Sequence, residues 1–236
     1  MAKIQALTFD VGGSVFDWKS AVCQEIEAQA RALGADVDSE VFAMDWRNGM
    51  FELLSRMQKG EIPRMNADEM HRAALDRVMA KHPNLALSGP ELDEMNQVWH
   101  RMPVWPEFPA ALARLKERYR VVVLTILSFA IVVDSSKYNG ISWDGILSCE
   151  FLTHYKPDRE AYLAACRLLG LPPGQVMMVA AHPLDLKAAG AAGLRTGFVA
   201  PKLTEPHRPG LRTEPTPEAY DYNAENFTDL ADQLCK

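Results

Sequence analysis

Four side chains with reactive chemistry stand beyond the ends of short apolar runs. Asp10 follows Ala6-Leu7-Thr8-Phe9 and precedes Val11-Gly12-Gly13. Thr125 follows Val121-Val122-Val123-Leu124. Lys156 lies in Thr153-His154-Tyr155-Lys156-Pro157-Asp158, and Asp185 closes Ala181-His182-Pro183-Leu184-Asp185. An uncrowded carboxylate can attack an electrophilic carbon or phosphorus and form an ester, dividing one hard step into two. A buried ammonium beside it holds it ionised. A second carboxylate can take a proton from the water that hydrolyses the ester. Asp10, Lys156 and Asp185 are the candidates for those roles. Each also has a plainer reading. Short acids cap turns, lysines are commonly solvated, and an acid in the first turn of a helix is stabilised by its dipole. His182 is either a contact at this site or a loop histidine. Arg47 follows Trp46 and leaves the apolar stripe of its helix by about one 100° step, where arginines usually face water.

These residues need elements that bring them together. Val22, Ile26, Ala30 and Leu33 recur at helical spacing, with Gly34 as a stop. Phe42, Trp46, Met50, Leu53 and Met57 repeat the rhythm until Gly60 to Pro63 breaks it. Further helical patterns cover about 67–81 and 90–101, and no strand pattern falls between residues 18 and 101. From Pro106 onward, helix and strand alternate, with strands expected at 121–124, 145–148, 176–180 and 196–199. Strict alternation means a parallel sheet covered on both faces, and right-handed crossovers then give a doubly wound α/β fold. In such sheets, ligands bind at the carboxyl ends of the strands. Residues 203–217, with four prolines and a glycine, read as a loop, and the tail from about Asn226 reads as one last helix.

Composition excludes several function classes. The 236 residues are 48% hydrophobic and 24% charged, with a net charge of -6, which disfavours nucleic-acid and anionic-membrane binding. Cys23, Cys149, Cys166 and Cys235 form no CxxC pair, so neither a zinc site nor a disulfide framework is expected. No apolar run approaches the roughly 20 residues of a membrane span. The chain enters its first strand without a secretory leader pattern, and the expectation is a cytoplasmic protein.

Together these segments resemble the haloacid dehalogenase superfamily, and within it the type II 2-haloacid dehalogenases. Phe9-Asp10-Val11, Thr125, Lys156-Pro157 with Tyr162, and Ala180-Ala181-His182-Pro183-Leu184-Asp185 match its four motifs in order and spacing. The resemblance implies a Rossmann-like core of residues 1–17 and 102–236, with an all-helical cap of 18–101. It implies that Asp10 displaces halide from C2 of a small 2-haloacid and that water, activated near Asp185 and Lys156, then hydrolyses the ester. Asp45-Trp46-Arg47 resembles the cap segment that carries an anion-binding arginine, and Thr125 would bond a carboxylate oxygen. Ser14, His182 and Tyr162 complete the expected substrate-binding set. No cofactor or metal is implied, because Lys156 supplies the positive charge. A homodimer is compatible with the resemblance and with the frequency of twofold dimers.

Magnesium phosphatases of the same superfamily are the first alternative. They carry an acid two residues after the nucleophile and a metal ligand four residues before the position of Asp185. Here those positions are Gly12 and Ala181. A halide needs no general acid, so both losses favour carbon chemistry. Three positions depart from the dehalogenase pattern. Gly12 replaces a bulky wall residue, which implies a roomier pocket. Ser14 replaces threonine and keeps the hydroxyl. Ile126 replaces an asparagine that helps bind the halide, a loss of about 1.5–3 kcal/mol and a roughly ten- to hundredfold slower step, unless Ser128 or His182 compensates. A small-acid binder without turnover is therefore the second alternative.

Overall fold

In this computed structural model, the run Ala6–Phe9 forms β1, the central strand of a six-stranded sheet. The structure describes residues 3–200 and 220–236. The expected loop at 203–217 lies outside the described residues. The other strands are β2 (Arg120–Thr125), β3 (Gly145–Ser148), β4 (Val176–Ala180), β5 (Arg195–Val199) and β6 (Tyr222–Ala224). Their order is β3-β2-β1-β4-β5-β6, and every pairing is parallel. After β3 the chain crosses β1 to place β4 on its other side, and that reversal opens a crevice at the carboxyl ends of β1, β2 and β4.

β1 and β4 are buried along their full length, as strands covered on both faces must be. Beneath the sheet, Phe9 meets Phe108 edge-on at 5.9 Å and Trp143 at 5.7 Å, and Phe108 meets Phe227 at 4.7 Å. Each such ring contributes roughly 1.5–3 kcal/mol on burial. The cluster joins α5 (Phe108–Lys116) and α9 (Phe227–Leu234) to the centre of the sheet. The remaining core helices are α6 (Phe129–Tyr138), α7 (Arg159–Leu169) and α8 (Pro183–Ala191).

Between β1 and β2 the described residues hold helices and no strand of the sheet. α1 (Trp18–Leu33) ends at Gly34, whose φ of 62° suits glycine. α2 (Ser39–Gln58) buries Phe42, Trp46, Met50, Leu53 and Met57, the expected stripe. α3 (Ala67–Met79) starts at Asn66 in a capping box with Glu69. α4 (Gly89–Asn96) is shorter than the helical pattern over 90–101, because residues 97–100 tighten into a 3₁₀ turn that places Trp99 inward. Gly49 permits close packing of α2 on α3, since a Cβ there would stand 3.1 Å from Ala74 Cβ.

The two connections into this helical layer pair with each other. Asp17 N–H donates to Pro103 O at 2.8 Å, and Trp105 Nε1 donates to Ser14 O at 2.9 Å. Farther out, the Arg64 guanidinium donates to the carbonyls of Cys149, Glu150, Leu152 and Thr153, and lies over the Tyr155 ring. The segment leading to Lys156 is thus held by the helical layer as well as by the sheet.

Candidate active site

Asp10 sits one residue past β1, and its N–H still bonds Val179 O at 2.9 Å, which fixes it at the sheet edge. The chain then turns back through Gly13, at φ 86°, so that Ser14 returns beside Asp10. Ser14 Oγ donates to Asp10 Oδ2 at 2.6 Å and accepts from Ala181 N–H at 2.9 Å, tying β1 to the turn after β4. Lys156 Nζ donates to Asp10 Oδ1 at 2.9 Å and to Asp185 Oδ2 at 2.7 Å. Tyr162 donates to Asp185 Oδ1 at 2.5 Å. His182 Nδ1 lies 2.8 Å from Asp10 Oδ2. An ionised carboxylate only accepts, so that nitrogen carries the proton.

The electrostatics follow from these contacts. Burial by itself raises the pKa of Asp10, but the Lys156 charge and the bonds from His182 and Ser14 outweigh it and hold the carboxyl well below its ordinary range. Burial opposes the charge on Lys156, yet Asp10 and Asp185 keep the ammonium above its ordinary value. Burial, reinforced by the neighbouring Asp185 carboxylate, raises the Tyr162 phenol, so it remains a donor.

A cavity of ≈ 50 Å³ opens over Asp10, with Gly12, Thr125, Ile126 and Leu127 on the sheet side. The helical layer adds Trp18, Arg47, Met50, His71, Trp99 and Met102. Arg47 lies with its guanidinium 4.4 Å from the centre of the Trp18 ring. Thr125 Oγ1 accepts from Leu127 N–H at 3.1 Å, which leaves its own hydroxyl hydrogen to donate. Asp10, Arg47 and Thr125 therefore meet at the cavity. Ser14, His182, Lys156, Asp185 and Tyr162 gather behind Asp10 and around its carboxylate partners.

Two of these residues sit differently from the sequence expectation. Thr125 is the last residue of β2 and not beyond it. Lys156 lies eight residues past β3, on a segment containing a 3₁₀ turn and a cis Lys156–Pro157 bond. Leu127 packs over Gly12, its side chain 3.4 Å from where a Cβ would stand, an ordinary contact distance. Ser128 donates to Asp68 and caps α6, so its hydroxyl is engaged away from the cavity wall. His71, Trp99, Met102 and Leu127 also line the wall, and no sequence pattern marks them for it. The first three meet only when α3, the 3₁₀ turn and the segment after it pack together.

A family model described as haloacid dehalogenase-like hydrolase matches residues 4–193. The chain belongs to this family. Among its relatives, the (S)-2-haloacid dehalogenase 4A of Burkholderia cepacia is 27% identical over 203 residues, 82% of this chain and 81% of that protein. The solved structure of the L-2-haloacid dehalogenase PA0810 superimposes with a TM-score of 0.90 at 35% identity, covering 98% of each chain. That of the defluorinating L-2-haloacid dehalogenase Rha0230 gives 0.91 at 33% identity, covering 99% of this chain and 96% of that one.

The superfamily's magnesium chemistry does not suit this haloacid dehalogenase-like hydrolase. Among the described residues no three His, Cys, Asp or Glu side chains are grouped to hold a metal ion. The Lys156 ammonium already bridges the two carboxylates that a cation would have to share, and magnesium demands a near-octahedral oxygen shell. Also among the described residues, no helix is long and apolar enough to cross a membrane.

Proposed function

We propose that this chain hydrolyses small 2-haloacids through an ester on Asp10. One observation carries the reading: a buried, ionised carboxylate, paired with a buried lysine, faces a small cavity that also contains an arginine. An Asp10 oxygen forms a bond to C2 as the carbon–halogen bond breaks, and the bonding pair leaves with the halide. Thr125 and Arg47 hold the substrate's charge in this step. Water then attacks the Asp10 carboxyl carbon and passes a proton to Asp185. The intermediate collapses, the alkoxide takes that proton from Asp185 as it leaves as the 2-hydroxyacid, and Asp10, now holding the water oxygen, releases the second water proton to solvent and returns to the carboxylate. Lys156 keeps Asp10 ionised before attack and stabilises the tetrahedral oxyanion after it. Both Asp185 oxygens already accept one bond each, and a carboxylate oxygen has a second lone pair for water.

The reading takes residues 1–17 and 102–236 as the core and 18–101 as the cap. It places the enzyme in the reducing cytoplasm, in keeping with four free cysteines. The names of the relatives, (S)-2- and L-2-haloacid dehalogenases, support the substrate class. The test is halide release from a panel of 2-haloacids with EDTA present, comparing wild type with Asp10→Asn. Release by wild type alone is expected. A folded wild type that releases no halide overturns the reading, and acid binding that survives in Asp10→Asn would then favour a binder.

A further inference from the structure

Two stacked rings in the cavity wall carry polar atoms without partners. His71, on α3, is completely buried, and Trp99 is 3% exposed. Their rings lie parallel, 3.9 Å apart. Among the described residues neither ring nitrogen of His71 has a hydrogen-bond partner, and neither does Trp99 Nε1. Buried polar groups are nearly always paired, so three such atoms on one cavity wall require an explanation. Packing fixes their place, since Trp46 Nε1 donates to His71 O at 2.7 Å and the Trp46 ring meets Trp99 edge-on.

Burial holds the imidazole neutral, down to about 3, against the pull of Asp68, and the charges of His100 and Arg47 act in the same direction as burial. A neutral imidazole offers one N–H. That N–H is an uncharged donor beside the charged Arg47. In-line displacement sends the leaving group away from Asp10, which stands on the sheet side, and therefore toward the helical layer that supplies Arg47, His71 and Trp99. The sheet side offers no side-chain donor at Ile126.

We propose that His71 contacts the leaving group, its ring N–H hydrogen-bonding the halide as it departs beside Arg47. The inference rests on the proposed dehalogenation. It makes His71 a specificity-determining residue, because a hydrogen bond strengthens as the halide becomes smaller and harder.

The test is His71→Phe, which keeps a flat ring on Trp99, assayed with 2-chloro-, 2-bromo- and 2-iodopropionate. The expected result is a loss in kcat of about ten- to a hundredfold on the chloro acid. The loss is smaller on the bromo acid and smallest on the iodo acid, with KM little changed. His71→Asn, which keeps an N–H donor, recovers part of the chloro activity. An equal loss on all three halogens, or none, overturns the proposal. If His71→Phe does not fold, wild type labelled with ¹⁵N-histidine is titrated with sodium bromide. The ring N–H resonance that stays neutral across pH 5–8 is expected to shift, and its failure to move while bromide inhibits turnover overturns the proposal. Wild type without halide release defeats the functional reading instead, so the two failures are distinct.

Discussion

Lys156 is the side chain on which both carboxylates depend. It is 5% exposed and donates to each. Replacing it with methionine leaves two carboxylates in the same burial without a counter-charge, and breaking a buried pair in this way costs about 3–5 kcal/mol. Lys156→Met is therefore expected to lower the urea midpoint at pH 7 and to reduce halide release by about a hundred- to a thousandfold. The pH dependence has a definite sign. The folded value of Asp10 lies below its ordinary one, so its stabilisation is complete above about pH 4 and disappears only as pH falls through the lower folded value. In Lys156→Met, burial dominates and the value rises above the ordinary one, so the sign reverses and stability is recovered as the pH falls through it. Unfolding curves from pH 3 to 7 that superimpose for the two proteins would count against the pairing. Asp10 was legible from sequence because a strand end announces itself by an apolar run followed by glycines. His71 was not. A histidine among Met70, Ala74 and Leu75 reads as one more core residue, and its unpartnered nitrogens exist only once α3 packs against Trp99.

At the scale of elements, the alternation from Pro106 onward marks four of the six strands and the apolar run before Asp10 marks β1, each strand being four to six residues long. β6, three residues long and half-buried at its start, offered no such run. Nor could spacing show how the helical layer is fastened to the core. His100, in the 3₁₀ turn, bonds Asp68 of α3 at 2.7 Å and Asp134 of α6 at 2.8 Å, while Ser128 at the start of α6 donates to the same Asp68. The bond to Asp68 raises His100 above its ordinary value of 6.5, burial opposes it, and Asp134 adds to the rise. A raised histidine stabilises fully below its unfolded value and loses that contribution as pH rises through the folded one. His100→Gln is thus expected to cost about 1 kcal/mol at pH 5.5, the more exposed Asp134 bond being partly screened. The cost should shrink steadily above pH 6.5. A stability difference that is constant from pH 5 to 9 would show that the charge on His100 does not join α3 to α6.

At the scale of the whole molecule, the cavity exists because two layers close on each other, and its size sets the substrate. Gly12 leaves its side of the wall without a side chain, and Leu127, more than a hundred residues away along the chain, packs over it at ordinary contact distance. The ≈ 50 Å³ that remains accommodates roughly three to five water-sized groups, at about 10–15 Å³ each. A haloacetate fills that space, and each further carbon must displace wall atoms at a cost of roughly 1–3 kcal/mol, or about 10–200-fold in specificity. Turnover is therefore expected to fall steeply from 2-chloropropionate to 2-chlorobutyrate and 2-chlorovalerate. Met50, 3% exposed in the wall contributed by α2, is the side chain whose shortening should relieve the limit without touching Asp10, Lys156 or Arg47. Met50→Ala should lose about 2–5 kcal/mol of stability while raising kcat/KM for the longer acids relative to chloroacetate. The ratio is the decisive readout, since a general weakening of the fold lowers every substrate together. If the ratio stays at its wild-type value while the stability falls, the walls are not what measures the substrate. Selection by length would then have to arise where the two layers open to admit it.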